Sequence, residues 1–165
     1  MTVYEAIDAR RSVRKYRGTP IPRPVLQRIA ESGAKAPSGM NEQNWKFVVV
    51  DDSTMKNAVA EVCPSGKFIA QAGACIAIFN KKDGCAPVED SCAAAENIML
   101  AAVAEGLGTC WVYSYDTEHG KVIESLLGCP ESHELVVLMA VGVPDAETQM
   151  PGKKPMGDVI GWNEF

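Results

Sequence analysis

The sequence predicts a single α+β domain in which helices surround a central sheet. Segments with helical and strand patterns are mixed along the 165 residues, but the first two helical segments precede any strand. A doubly wound fold would begin with a strand, and no GxGxxG motif follows a strand here. These observations favour an α+β sheet over a dinucleotide-binding fold.

Two helices are predicted before the first strand. The first covers residues 3–10 and has Thr2 as its N-cap, since a threonine hydroxyl can accept from the free N–H groups of the first turn. After a connector with two prolines, the second helix begins near Pro24, which suits the first turn of a helix. It carries an apolar stripe and ends near residues 33–35.

Four strands and three further helices are predicted in the remainder of the chain. Short apolar runs indicate buried strands, and caps with apolar periodicity indicate helices. In chain order, these are a strand over 45–50, a helix capped by Ser53 and reaching 63, a strand over 74–79, a helix over 87–105, a strand over 109–115, a helix over 120–127 and a strand over 135–143. Three prolines and three glycines in residues 144–165 predict an extended arm.

The helix over residues 87–105 is apolar on nearly all sides from Cys92 onward. A helix of this kind must be buried, and a domain of this size can hardly cover every face of it. Its alanines would also let another helix approach closely. We therefore expect a subunit interface here, with the high helix propensity of alanine as the alternative explanation.

Composition and charge exclude several classes of function. The net charge of −5 argues against nonspecific nucleic-acid binding, and no apolar run reaches the length of a membrane span. The N-terminus lacks the pattern of a secretory signal, so a cytoplasmic location is expected. His119 and His133 are expected at the surface without a catalytic role.

The six cysteines are expected to be free thiols and not metal ligands. None lies in a CxxC pair, and neither histidine has a cysteine at zinc-finger spacing. Cys75 and Cys110 lie inside apolar runs and are predicted to be small core residues. No metal site is therefore expected.

An arginine-rich segment near the N-terminus is the first candidate for ligand binding. Four of the six arginines lie between Arg10 and Arg17, and no acid interrupts them. Two or three cations and a hydroxyl suit a phosphate monoester, and the guanidinium fork fits its oxygens bidentately. In an extended segment Ser12 and Arg14 share one face. Alternatively, the first two arginines, Arg10 and Arg11, only complement the dipole at a helix C-terminus.

A Pro-Ser-Gly loop before the first strand is the second candidate. Residues 36–45 read APSGMNEQNW, which places backbone amides and the carboxamides of Asn41 and Gln43 on a stiff frame. Such groups pair with a planar polar heterocycle. A polar turn without a ligand is the alternative.

Two weaker signals follow. The turn Gly106-Leu107-Gly108 precedes the third strand, where glycine permits close backbone approach and the next apolar residues can form a wall against a ring system. An ordinary core strand would have the same pattern. Lys153 and Lys154 add two cations in the arm, although lysines are common in solvated tails.

Taken in order, the four motifs resemble those of the nitroreductase family. They are RRSxRxY, APSGxNxQxW, GLGTCW after an Ala-rich helix, and a basic pair flanked by prolines, and they span Val3 to about Trp162. The resemblance implies an α+β sandwich with a central, mainly antiparallel sheet surrounded by helices. It also implies one domain over residues 1–165 with an arm from about 144, in an intertwined homodimer that holds one FMN at each end of the interface.

The resemblance implies three groups of residues around the flavin. The phosphate and ribityl chain would be held by Arg10, Arg11, Ser12 and Arg14, joined at the phosphate by Lys153 and Lys154. The other subunit would cover the flavin edge with Pro37, Ser38, Gly39 and Asn41, and with Gln43 nearby. The ring face would be lined by Trp111, Val112, Tyr113 and Ser114, with a backbone N–H near Tyr113 or Ser114 pointing at flavin N5.

The implied activity is a hydride transfer from NADH or NADPH, through flavin N5, to an electron-poor acceptor such as a nitroaromatic or a quinone. Because the flavin carries the hydride, no catalytic side chain is required, and ping-pong kinetics are expected. An FMN-binding storage or sensor protein without efficient nicotinamide turnover is the alternative. A structural protein that retains the dimeric fold is less favoured, because the cofactor-side positions are intact.

This sequence departs from the family pattern at several positions. Asn44 stands where proline is usual, and Lys153 and Lys154 stand where arginine is frequent. Tyr113 and Ser114 stand where some larger members have glutamate and glycine. The chain also lacks the insertions that roof the pocket in larger relatives, so the acceptor stays open. The preference for NADH or NADPH stays open as well, because the sequence has no dinucleotide fingerprint to read.

Overall fold

Four antiparallel strands form the centre of the molecule, and the computed structural model describes all 165 residues around them. The strands are β1 (Lys46–Val50), β2 (Ala74–Lys81), β3 (Gly108–Val112) and β4 (His133–Gly142). They lie in the order β1-β2-β4-β3, and each neighbouring pair is antiparallel. The predicted α+β fold with a central, mainly antiparallel sheet is confirmed.

Five helices cover the two faces of this sheet. They are α1 (Val3–Ala9), α2 (Arg23–Gly33), α3 (Ser53–Val62), α4 (Pro87–Ala104) and α5 (Glu118–Leu126). Helices α2 and α4 pack on one face, with α1 against α4, while α3 and α5 pack on the other. Three short 3-10 helices at Gly39–Asn41, Lys67–Gln71 and Met156–Asp158 were not predicted.

Alternation along the two central strands produces two separate cores. In β2, Ile76 and Ile78 belong to the core under α2 and α4, while Cys75 and Ala77 belong to the core under α3 and α5. Successive side chains of a strand point to opposite faces, so one apolar strand supplies both cores. A register shift in the β2–β4 pairing leaves Val136 without a cross-strand partner.

Helix capping agrees with the sequence at α1 and differs at α3. Thr2 accepts from the N–H of Glu5 at 3.2 Å, and Glu5 accepts from the N–H of Thr2 at 2.6 Å, which is a capping box. The N-cap of α3 is Asp52 and not Ser53, since Asp52 Oδ1 accepts from the N–H of Met55 at 2.8 Å. The predicted cap was wrong by one residue because both side chains are good caps.

The third strand is shorter than predicted. It ends at Val112 instead of residue 115. Helix α5 begins at Glu118, two residues before the predicted start at residue 120. Thr117 caps that helix, and Asp116 has a φ of 50°, so the chain turns directly from β3 into α5. Tyr113 and Ser114 therefore lie in this turn and not in the strand.

The longest helix and the C-terminal residues leave apolar surface uncovered. Ala94, Ala95 and Ile98 of α4 are fully buried, whereas Leu100 and Val103 on its other side are only half-buried. Every residue from 145 to 165 is exposed, and these residues contain no helix or strand apart from one 3-10 turn. None of the helices combines the length and the apolar character that a membrane-spanning segment needs.

Candidate functional site

The arginine-rich segment runs beside β3, the edge strand of the sheet. Ser12 forms a parallel bridge with Thr109, and the N–H of Val13 donates to the carbonyl of Thr109 at 2.8 Å. Further along, the N–H of Arg17 donates to the carbonyl of Val143 at 3.0 Å. The segment is thereby fixed between the start of β3 and the start of the C-terminal arm.

Two facing glycines make room for this segment. Gly108 and Gly142 are directly opposite each other in the β3–β4 ladder. A Cβ on Gly108 would lie 2.5 Å from Val13 Cγ2, and a Cβ on Gly142 would lie 2.6 Å from Tyr16 Cδ1. The second glycine of the GLGTCW motif is thus required for close approach of the arginine-rich segment.

Cationic side chains of this segment and of the arm line one cavity. The cavity has a volume of about 570 Å³, and none of its lining residues is an acid. The predicted phosphate ligands among them are Arg10, Arg11, Ser12, Arg14 and Lys153, and the others are Thr148, Gln149, Met150 and Pro151. A neighbouring cavity of about 740 Å³ shares part of this wall. Lys154 does not line either cavity.

The four cations of the cavity differ in how far the chain neutralises them. Arg10 Nε lies 3.5 Å from Glu96 Oε1, and Arg11 Nη1 donates to the carbonyls of Asp8 and of Arg10. Neither Arg14 nor Lys153 forms an ion pair with an acid of the chain. The arrangement therefore carries excess positive charge, which suits a dianion.

The Pro-Ser-Gly loop is an ordered, strained turn. Its Met40, Asn41 and Gln43 all have positive φ angles, of 50°, 58° and 51°. Ser38 Oγ accepts from the N–H of Gln43 at 3.1 Å, and the Gln43 carboxamide donates to Asn41 Oδ1 at 3.1 Å. Non-glycine residues in the left-handed region persist only where surrounding bonds hold them, and they are frequent at ligand sites.

The loop is anchored to the N-terminal end of α4. The N–H of Gly39 donates to Asp90 Oδ1 at 2.8 Å, and a Cβ on Gly39 would lie 2.4 Å from Cys85 Sγ. Asn44, where proline is usual in the family pattern, donates to Glu42 Oε2 at 2.8 Å. Pro37 precedes this turn and is exposed.

The loop and the cationic cavity are not brought together within one chain. No residue from 37 to 43 lines either cavity beside the arginine-rich segment. Five of the six predicted phosphate ligands, all but Lys154, therefore cluster, whereas none of the residues predicted for the flavin edge lines these cavities.

The residues predicted for the ring face have different environments at the end of β3. Trp111 is half-buried against the core under α2 and α4, and Val112 is buried in the opposite core. Tyr113 is 68% exposed, and Ser114 is buried. Neither the N–H of Tyr113 nor that of Ser114 donates to any group of the chain. Two free backbone donors therefore lie next to each other in this turn.

Two polar groups near the predicted residues were not singled out from the sequence. Thr109 Oγ1 is a buried side-chain oxygen without a hydrogen-bond partner, on the residue that pairs with Ser12. His119 Nε2 lies 2.9 Å from the carbonyl oxygen of Tyr113. No local sequence signal indicates either contact, because both depend on how separate segments meet.

The surroundings of the six thiols disfavour their ionisation. Burial raises the pKa of the Cys75 thiol to about 12, and desolvation raises the pKa of each of the other five thiols. Raised pKa values disfavour the thiolate, which is the reactive form. Cys75 and Cys110 are buried, as predicted.

Comparison with known proteins assigns the family. The Nitroreductase family matches residues 7–65 and 59–143 of this sequence. A provisionally named NADH dehydrogenase/NAD(P)H nitroreductase of Archaeoglobus fulgidus is 34% identical over 147 residues, covering 86% of this chain and 84% of the relative. The chain belongs to the nitroreductase family, as its motifs predicted.

Solved structures agree with this assignment. An FMN-dependent nitroreductase from Clostridium difficile superposes with a TM-score of 0.90 at 26% identity, covering 97% of this chain and 98% of that one. The NADPH:FMN oxidoreductase from Vibrio harveyi, in complex with NAD⁺, gives a TM-score of 0.86 at 26% identity, covering 99% of this chain and 77% of that one. The nitroreductase fold is therefore shared over nearly the whole chain.

Proposed function

We propose that this protein is an FMN-dependent oxidoreductase that takes a hydride from NADH or NADPH and passes it to an electron-poor acceptor, such as a nitroaromatic or a quinone. The observation that carries the proposal is the cationic cavity. It combines three arginines, one lysine and a serine hydroxyl without a lining acid, in a member of the nitroreductase family.

The residues of the cavity fit the phosphate of FMN. Arg14 and Lys153 have no acidic partner in the chain, so a phosphate would not compete with an existing ion pair for them. Arg10 forms an ion pair with Glu96, but both side chains are partly exposed and the N–O distance is 3.5 Å. The unpartnered hydroxyl of Thr109 adds a buried polar atom beside the segment. These residues would hold and orient the cofactor from its phosphate end.

The turn after β3 fits the polar edge of the ring. When bound, FMN would supply the hydride-accepting N5 atom, so the protein needs only to bind, orient and exclude water. The free N–H groups of Tyr113 and Ser114 are donors without a partner, and an unpaired backbone donor is unfavourable unless a ligand or water accepts from it. Trp111 and Val112 would fix the turn by packing into the two cores.

The proposal includes a homodimer. No residue of the loop at 37–43 lines the cationic cavity of the same chain, which supports a site that takes this loop from a second chain. The exposed arm carries large apolar side chains, among them Met156, Ile160 and Trp162, and Leu100 and Val103 of α4 are only half-buried. A group of exposed large apolar side chains favours a protein interface.

The spectrum of the FMN-loaded, desalted protein tests the proposal. We expect a flavin band that stays with the protein and bleaches promptly on anaerobic addition of NADH or NADPH. Steady-state rates at several acceptor concentrations should then give parallel double-reciprocal lines, since donor and acceptor use the same ring face in turn. A band that resists both nicotinamides would favour a flavin-storing or flavin-sensing protein. A colourless protein would overturn the phosphate assignment.

A further inference from the structure

A histidine at the start of α5 holds the peptide that follows β3. His119 Nε2 lies 2.9 Å from the carbonyl oxygen of Tyr113. A carbonyl oxygen can only accept, so the Nε2 atom of His119 must carry the proton in this contact. No sequence motif includes this histidine.

The next carbonyl is held by the same helix end. Thr117 Oγ1 donates to the carbonyl of Ser114 at 2.8 Å and accepts from the N–H of Gly120 at 3.0 Å. A Cβ on Gly120 would lie 2.1 Å from the Ser114 carbonyl oxygen, so this position requires glycine. The first turn of α5 therefore fixes two successive carbonyl groups.

Fixing these carbonyls leaves the N–H groups of the turn free. The carbonyl of Tyr113 and the N–H of Ser114 belong to one planar trans peptide and point in opposite directions. With the carbonyl bonded to His119, the Ser114 N–H points away from that contact, and it has no acceptor in the chain.

We propose that His119 is a positioning residue that orients the Tyr113–Ser114 peptide so that its N–H faces flavin N5. This inference rests on the proposed function and adds a residue to it. A donor on the carbonyl oxygen also polarises the peptide, which strengthens its N–H as a donor on the other side. His119 would thus act on the ring through one peptide group, without touching the flavin.

Loss of the His119 contact should change both the affinity for FMN and the midpoint potential of bound FMN. Oxidised N5 has a lone pair that accepts from an N–H, whereas reduced N5 carries a hydrogen and cannot accept. Losing this bond should weaken binding of oxidised FMN and leave reduced FMN little changed. If His119→Ala weakens the binding of oxidised FMN about tenfold and leaves that of reduced FMN unchanged, the midpoint potential of bound FMN should rise by about 30 mV. A tenfold change in an equilibrium constant corresponds to about 30 mV for a two-electron couple.

Two further variants separate positioning from simple stability. His119→Gln keeps a side-chain N–H donor and should restore the FMN dissociation constant and the potential toward wild type. His133→Ala removes the other histidine, which contacts Ser132 at the start of β4, and should leave both quantities unchanged. Thermal unfolding of each variant without FMN reports its stability separately.

The holoprotein also gives a direct readout that needs no variant. The amide ¹H and ¹⁵N shifts of Ser114 should change on FMN addition, as an unpaired donor gains an acceptor. An unchanged Ser114 amide in an FMN-bound wild type overturns the inference, as does a His119→Ala protein with wild-type affinity and potential. Absence of FMN binding by the wild type would instead overturn the proposed function.

Discussion

The backbone N–H of Gly39 donates to Asp90 Oδ1 at 2.8 Å, which ties the Pro-Ser-Gly loop to the longest helix. Asp90 is only 6% exposed and lies in the first turn of α4, where a carboxylate is favoured by the positive end of the helix dipole. A loop with three left-handed residues is held in place by this buried acceptor, by the Cys85 N–H that donates to Glu42 Oε2 at 3.1 Å, and by bonds within the loop itself.

Replacing Asp90 should release this loop. Asp90→Ala leaves the Gly39 N–H without a partner, so the free energy of unfolding should fall by about 1–3 kcal/mol. FMN affinity should fall as well, because the loop is expected to cover the flavin edge. Urea unfolding and FMN titration measure the two effects. Asp90→Asn keeps an acceptor oxygen and is the matched control; equal losses in both variants would contradict the hydrogen-bond explanation.

Arg14 should bind the phosphate of the cofactor. Arg14→Ala should weaken FMN binding by about 1.5–3 kcal/mol, the range for a hydrogen bond to a charged group. Riboflavin lacks the phosphate, so its affinity should be the same in the variant and the wild type. Fluorescence titration with both flavins makes the comparison. Lys15→Ala, at the neighbouring exposed cation that does not line the cavity, should bind FMN normally.

A methyl group on Gly108 should displace the arginine-rich segment. Its Cβ would lie 2.5 Å from Val13, so Gly108→Ala should cost about 1–3 kcal/mol of stability through overpacking and should also weaken FMN binding. Combining it with Val13→Ala removes the nearest opposing atom, Val13 Cγ2, and leaves Val13 Cβ at 2.9 Å. The double variant should therefore lose less than the sum of the two single changes, measured by urea unfolding. Strict additivity would argue against this contact.

The fold was largely predictable because its signals are local. Apolar runs marked β1, β2 and β4, and prolines and caps marked the helices to within a few residues. The end of β3 was misplaced because the apolar and aromatic run continues through Tyr115, while the chain is turned away by bonds to α5. Such bonds join separate elements and leave no periodicity in the sequence.

The sequence indicated which residues belong to the candidate site, but only partly which of them lie together. The motif order indicated the cations that line the cavity, and the structure brings Arg10, Arg14 and Lys153 together. Lys154, predicted beside Lys153, does not line it. His119 was missed because its side chain contacts the backbone carbonyl of Tyr113. A contact with a backbone group leaves no pattern of side chains in the sequence that would indicate it.

Stability should fall in alkaline solution partly through one buried thiol. Burial raises the pKa of Cys75 to about 12, whereas an exposed thiol in the unfolded chain ionises near pH 8.5. Between these pH values the folded state binds more protons, so the free energy of unfolding decreases as pH rises. In Cys75→Ala, the contribution of this thiol to the pH dependence of the free energy of unfolding should be absent. Urea unfolding from pH 8 to 10.5 tests it; parallel curves for both proteins would contradict the assignment.

The exposed arm should hold the dimer together. Deleting residues 155–165 removes its large apolar side chains, including Ile160 and Trp162, but retains Lys153. We expect the deletion to raise the dimer dissociation constant by at least tenfold, because this apolar surface would no longer be buried. Sedimentation velocity over a concentration series measures the constant.

Replacing Glu164, an exposed acid in the same segment, with glutamine is the matched control and should leave the dimer intact. FMN affinity should fall in the deletion variant in proportion to the monomer fraction, since the proposed site takes its loop at residues 37–43 from the second chain. A monomer that binds FMN with wild-type affinity would show that one chain suffices for the site.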